Sequence, residues 1–275
     1  MASISMEGME GMEGLGTILR RTTSERKQNL TPDENSLLLE IEAAQQDTCA
    51  ICHGGGWVSR TVPVGHADFG EMFRCRCQTE ADAAVKISRL AAHANLPHAE
   101  RPRSFENFDP RTGAIEALSA AVAFGATVRA LTLVGNKGSG KSHLLEAIGR
   151  SFLAAGRSVR YEHCGDLLDR LRAGSADDAE ISKIAVIAEC KGVALLILDD
   201  LGMDSPTTFG MGEMSKIIDY RIREGHCLVV GTNLIKRQIA LAVDVRVADR
   251  LFDMQSFGTV ECVVMTCDSY RTGDR

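Results

Sequence analysis

The sequence predicts an α/β fold, a three-layer sandwich with a parallel central sheet, preceded by a small module built on cysteines. Three observations predict it. Short runs that are apolar on both faces, LTLVG (131–135), VALLILDD (193–200) and CLVVGTN (227–233), read as buried parallel strands and alternate with helical periodicity. The first of them runs straight into a glycine-rich loop that opens an amphipathic helix. Four of the nine cysteines, Cys49, Cys52, Cys75 and Cys77, stand in two tight pairs before that alternation begins.

Taken in order, residues 1–35 are polar, with a Met-Glu-Gly triplet repeat at Glu7, Glu10 and Glu13 and a basic stretch at Arg20, Arg21, Arg26 and Lys27; they read as a flexible leader. Residues 36–95 form the cysteine module, with a short helix expected over Leu37–Ala44 and a longer one over EADAAVKISRLAAHA (80–94). LPHAERPRSFENFDP (96–110) carries three prolines and several charges and reads as a linker. The α/β domain then occupies 111–275. It opens on a helix over 114–128, followed by the strand at 131–135 and a helix in which Leu145, Ile148 and Phe152 share a face. A strand is expected at 158–162 and helices near 164–173 and 178–190. The central strand at 193–200, a helix near 212–223, the strand at 227–233 and a last strand, TVECVVMTC (259–267), complete the pattern.

Composition narrows the function. Hydrophobic residues at 44% and charged residues at 25% allow a packed core. Lys plus Arg at 31 against Asp plus Glu at 37 gives a net charge of −6, so contact with nucleic acid needs a local basic patch or backbone donors. The sequence offers neither a membrane-length apolar run nor an export signal, which predicts a cytoplasmic protein with reduced thiols and no membrane partner. Cys164, Cys190, Cys227, Cys262 and Cys267 are scattered, and several lie in apolar surroundings that suit small buried hydrophobes.

Residues 135–142, GNKGSGKS, fit the phosphate-loop pattern G-x-x-x-x-G-K-[ST] in full. Gly135, Asn136, Lys137, Gly138, Ser139 and Gly140 would turn successive backbone N–H groups toward one anion. Lys141 supplies a cation for the β- and γ-phosphates of ATP, Ser142 a hydroxyl for Mg²⁺, and the helix continuing through His143 a positive end. Asp199, at the end of a buried strand, is placed to hold Mg²⁺, and Asp200 to orient and deprotonate a lytic water. Asn233, closing CLVVGTN, is a candidate to hold that water or feel the γ-phosphate. Arg246 and Arg250, at i and i+4, read as a solvated helix face or as arginines that reach a neighbouring subunit's nucleotide.

Cys49-Ala-Ile-Cys52 and Cys75-Arg-Cys77 supply four thiolates, a donor set suited to tetrahedral Zn²⁺. Buried unliganded cysteines and an iron–sulfur cluster are the other readings, and His53 and His66 are possible substitute ligands. Residues 45–78 are too few to bury much core alone, so metal would fold them. Arg60, Arg74 and Arg76 are alternative nucleic-acid contacts.

The ordered set GNKGSGKS, LLILDDLG, VVGTNL, RVADRL and DSYR, with SFENFDP before it, resembles the AAA+ branch of DnaC-type helicase loaders and IstB-type transposition helper ATPases over about residues 100–275. The resemblance implies a P-loop NTPase fold without a C-terminal helical lid. It makes Lys141 and Ser142 Walker A residues, Asp199 and Asp200 Walker B and Asn233 sensor 1. Arg250 becomes the arginine finger acting in trans and Arg271 the sensor 2 arginine. Asp200 departs from the glutamate many AAA+ proteins carry. The implied function is an ATP-dependent loader of a hexameric replicative helicase that self-associates and binds single-stranded DNA, with the zinc module gripping the helicase. A transposition helper, or a nucleotide-gated adaptor with little hydrolysis, is the alternative.

Overall fold

A computed structural model of the chain describes residues 49–98, 100–175, 182–202, 208–252 and 259–270. The expected leader and the Leu37–Ala44 helix lie outside the described residues. The chain divides into two compact units between Ala84 and Val85, inside a helix, α1 (Arg76–His93).

The first unit is organised by a hairpin the sequence reading did not identify. Strands β1 (Trp57–Ser59) and β2 (Met72–Arg74) pair antiparallel, with Trp57 opposite Arg74 and Ser59 opposite Met72. The Cys75 N–H extends the ladder to the Gly56 carbonyl at 2.8 Å. This pairing brings the Cys49/Cys52 turn, which precedes β1, against Cys75 and Cys77, which follow β2.

The second unit holds five parallel strands: β3 (Ala130–Gly135), β4 (Val159–His163), β5 (Leu195–Asp199), β6 (Cys227–Thr232) and β7 (Val260–Met265). Their order in the sheet is β4-β5-β6-β3-β7. The chain thus leaves β3 for the far edge and works back beside it, so the crevice at the carboxyl ends of the strands next to β3 is where a ligand is expected. Period-two alternation splits the sheet's side chains between two cores. Leu131, Leu133, Leu195, Ile197 and Val229 face α2 (Ile115–Ala123) and α3 (Lys141–Ala154). Leu196, Leu198, Leu228 and Val230 face α4 (Cys164–Ala173), α5 (Lys183–Gly192) and α6 (Thr208–Arg223), together with α7 (Lys236–Ala242) and α8 (Val245–Phe252). This is the expected three-layer sandwich, and among the described residues no helix follows β7.

Boundaries depart from expectation where backbone chemistry intervenes. Helix α2 ends at Ala123 and not near 128, because Phe124 turns extended and packs on Phe152 while Gly125 takes a left-handed φ of 94°. Helix α5 starts at Lys183, with Ser182 capping it by accepting the Ala185 N–H. Of the scattered cysteines, Cys164, Cys190, Cys227 and Cys267 are buried, as their apolar surroundings suggested, and Cys262 is half-buried. Among the described residues no helix is long and apolar enough to cross a membrane.

One buried cation ties the second core together. Arg221, at the end of α6, is fully inaccessible. Its guanidinium donates to the carbonyls of Cys190 at 2.7 Å and Lys191 at 3.2 Å, at the end of α5. It also reaches Val193 at 3.0 Å and Ala194 at 3.3 Å, before β5, and Cys227 at 2.6 Å, at the start of β6. Burial lowers its pKa to about 10.

Candidate functional site

The glycine-rich loop connects β3 to α3. Gly138 (φ 83°) and Gly140 (φ 91°) both adopt left-handed backbone, which strains any residue with a Cβ. At Gly138 a Cβ would also collide with the Ser269 hydroxyl, because the chain after β7 runs across the loop. There the Tyr270 N–H donates to the Gly138 carbonyl at 2.9 Å, and the Cys267 thiol donates to the Ser139 carbonyl at 3.3 Å. Lys141, the first residue of α3, is buried. Its ammonium donates to the carbonyls of Gly135 and Asn136 at 2.8 and 3.0 Å and to the side-chain oxygen of Asn233 at 2.6 Å. Lys141, at the start of α3, and Asn233, just after β6, therefore meet at one point.

Asp199 closes β5 and is 1% exposed. One carboxylate oxygen, Oδ1, accepts the Asp200 N–H at 3.0 Å, and the other, Oδ2, accepts the Tyr161 hydroxyl at 2.6 Å. On β6, Gly231 leaves room for this carboxylate, since a Cβ there would come within 2.7 Å of Oδ1. Asp200 bends away with φ 56° and is half-exposed, 4.0 Å from the His163 ring. The turn that follows is pinned to β6: Thr232 donates its hydroxyl to the Leu201 carbonyl at 2.8 Å, and the Leu201 N–H reaches the Gly231 carbonyl at 3.0 Å.

A cleft of about 440 Å³ opens over these groups. Lys137, Gly138, Gly140, Lys141, Ser142, His143, Asp200 and Asn233 line it, so most of the predicted set converges on one cavity. The rest of the wall was not foreseen. Arg103, Asn107, Phe108 and Asp109 come from the segment read as a linker, and Tyr270 from beyond β7. The segment lies on the second unit: Phe108 is buried, and the His143 Nε2 faces the Ser104 carbonyl and the Asn107 side-chain oxygen, both at 2.9 Å. Both atoms are acceptors, so Nε2 carries the proton. The signal was available in the two phenylalanines of SFENFDP, which a solvated linker does not need.

The predicted Arg250 is not brought to this cleft. Arg250 lies on α8, 25% exposed, paired with Asp219 of α6. There it lines a separate hollow of about 840 Å³ between α6, α7 and α8, with Arg246 beside it. Arg271 lies outside the described residues.

In the first unit the four predicted sulfurs converge. All lie within 4.8 Å of one another, with Cys49 and Cys75 at 3.7 Å and Cys52 and Cys77 at 3.4 Å. A tetrahedron with Zn–S bonds of about 2.3 Å places its sulfurs roughly 3.8 Å apart, so this donor set fits zinc. Backbone N–H groups of Cys52 and Ile51 lower the Cys49 pKa to about 6. Its close neighbour Cys52, followed by burial, pushes Cys77 up to about 12, because crowded sulfurs resist sharing negative charge without a cation. His66 instead accepts the Asp68 N–H on its ring nitrogen at 3.1 Å, and neither it nor His53 belongs to the cluster. The arginines read as alternative nucleic-acid contacts are each ion-paired, Arg60 with Asp68, Arg74 with Asp82 and Arg76 with Glu80.

Residues 70–275 match the family described as IstB-like ATP binding protein. The chain belongs to that family. Among curated relatives, this IstB-like chain is 24% identical over 193 residues to the replicative helicase loader DnaC of Buchnera aphidicola subsp. Schizaphis graminum, an alignment covering 68% of the chain and 77% of that protein. The fold is that of the solved DnaC helicase loader, with TM-score 0.52 and 22% identity over 61% of the chain and all of the DnaC structure. AMPPCP-bound DnaA from Aquifex aeolicus also shares it, with TM-score 0.53 and 20% identity over 62% of the chain. The chain spans about half the length of that DnaA, 52%. Fold and family together make the IstB-like chain a P-loop AAA+ protein, whose family implies a bound nucleotide.

Proposed function

We propose that this protein is an ATP-dependent loader of a hexameric replicative DNA helicase, working in the cytoplasm. One observation carries the ATPase part: Lys141, Ser142, Asp200 and Asn233 line one cleft, and Asp199 is buried next to Asp200 and beside Gly231. In this reading the loop from Gly135 to Gly140 wraps the phosphates with backbone N–H groups, and Lys141 leaves its loop carbonyls and Asn233 to pair with the β- and γ-phosphates. Ser142 and Asp199 are the residues that would hold Mg²⁺, which when bound would supply positive charge to the phosphates. The half-exposed Asp200 takes a proton from the lytic water, and Asn233 fixes that water's position. Phe108, Tyr270 and Asn107 offer flat and hydrogen-bonding surface for the base. The first unit, 49–84 as described, is the zinc module that contacts the helicase; the AAA+ unit self-associates and binds single-stranded DNA.

Its relationship to DnaC supports the loader. The family description favours a second reading, an IstB-type transposition helper with the same ATPase residues. Pull-down of the replicative helicase from the same cell, with a DNA-unwinding assay, tests the first. Capture through residues 49–84 and stimulated unwinding are the expected results; no contact and no stimulation reject the loader.

Self-association predicts shared sites. Arg250 stands away from its own cleft, so in an assembly it serves the neighbour's γ-phosphate. Lys141→Ala and Arg250→Ala proteins, each inactive alone, are expected to recover partial phosphate release when mixed, because some interfaces then combine an intact loop with an intact finger. No recovery at any ratio rejects a trans-acting Arg250.

The cysteine module predicts a second result. Elemental analysis is expected to find one zinc per chain, and stripping it with a strong chelator to unfold the first unit, read as new protease cleavage between residues 49 and 84. Cys75→Ser, which removes the most buried ligand, is expected to do the same. Metal-free protein with unchanged protease resistance contradicts this assignment.

A further inference from the structure

We propose that Tyr161 is a positioning residue of the nucleotide site, setting the orientation of Asp199 through a hydrogen bond to one carboxylate oxygen. The proposal rests on the ATPase reading above. Tyr161 stands on β4, the strand beside β5, with its ring in the core between the sheet and α3 and only 4% exposed. Its hydroxyl donates to Oδ2 of Asp199 at 2.6 Å. A carboxylate oxygen can only accept, so the hydroxyl is the donor of this bond.

Phenylalanine would fill this core position as well and would leave no hydroxyl to satisfy. The oxygen is meaningful where it ends, on a buried acid that is itself costly unless held. Asp199 is fixed from three sides: Tyr161 at Oδ2, the Asp200 N–H at Oδ1, and the absent side chain of Gly231, which lets Oδ1 lie against β6. A ligand oxygen for a small, hard cation must sit within a few tenths of an ångström of its place, and outer partners that orient ligands carry much of a metal's affinity.

Tyr161 is itself anchored. Strand β4 is an edge of the sheet, so its outer backbone groups need partners. They find them in the bend after α1. The Tyr161 N–H donates to the Ala94 carbonyl at 2.8 Å, and the Tyr161 carbonyl accepts the Asn95 side-chain amide at 2.9 Å. Asn95 takes a left-handed φ of 53° to reach it, a conformation asparagine tolerates. The path from Asn95 through Tyr161 to Asp199 is thus hydrogen-bonded at each step.

The test is Tyr161→Phe in the full chain, which removes one oxygen and keeps the ring. Binding of a fluorescent ATP analogue is titrated across a Mg²⁺ series and again in EDTA. The Mg²⁺ concentration for half-maximal binding is expected to rise about tenfold or more, while affinity in EDTA stays within about twofold of wild type. An unchanged Mg²⁺ dependence overturns the proposal, and so does an equal loss with and without Mg²⁺, which is the signature of mere core packing. Wild-type protein that shows no Mg²⁺-dependent binding overturns the ATPase reading itself, a result separable from either outcome for the variant.

Discussion

Lys141→Ala is expected to lower Mg²⁺-dependent ATP hydrolysis at least about a hundredfold, the scale seen when one preorganised charge-stabilising donor is lost from an active site. The argument is geometric. Lys141 is the buried cation at the start of α3, reaching Asn233 across the cleft; the other basic side chains in the cleft wall are Lys137, exposed on the outer turn, and Arg103, which is drawn toward Glu146. Removing it strips the phosphates of their partner and leaves the Gly135 and Asn136 carbonyls without their donor. Phosphate release, with and without single-stranded DNA, measures the effect. Activity that is the same in wild type and in Lys141→Ala would remove the enzyme assignment and leave a nucleotide-gated adaptor.

Arg221→Ala is expected to destabilise the second unit by at least about 3 kcal/mol, because each carbonyl that loses a charged donor in a dry interior forfeits a hydrogen bond it cannot replace. One guanidinium ties the continuous stretch from the end of α5 to the approach to β5 to the start of β6, which is remote from that stretch in sequence. Arg221→Lys is expected to recover only part of the loss, since an ammonium cannot span three directions from one planar fork. Urea denaturation followed by far-UV circular dichroism measures both. A cost below about 1 kcal/mol for the alanine variant would show that water replaces the guanidinium and that the contacts are incidental.

Arg221 also marks where the sequence stops being readable. In RIREGHC it looks like one more basic residue at a helix end, a position where arginine is common and solvated. Only the folding of α6 onto the approach to β5 encloses it. Strand β5 was legible because two-sided burial leaves no polar residue ahead of its terminal acid: Leu195 to Leu198 are all fully buried, and their apolar run says so. The phosphate loop was legible because its mechanism demands particular residues at particular spacings, and those residues do converge on one cleft. Tyr161 was not, since its partner Asp199 lies on another strand and no local pattern links them. Nor was the β1–β2 hairpin, whose strands are only three residues each and show alternation too brief to register. The segment at 96–110 was misleading in a specific way. Its prolines and charges signal the end of α1, while Phe105 and Phe108, which pack it beside the loop, are the only sign that it stays on the core.

Calorimetric titration of ATP with Mg²⁺ into the full-length protein, repeated with Asp199→Asn, tests most directly the claim that β3, β5 and β6 present one nucleotide site. Saturable binding to wild type that weakens in Asp199→Asn only when Mg²⁺ is present is the predicted result. Absence of heat at millimolar ATP, or binding that Asp199→Asn leaves untouched in Mg²⁺, would contradict it.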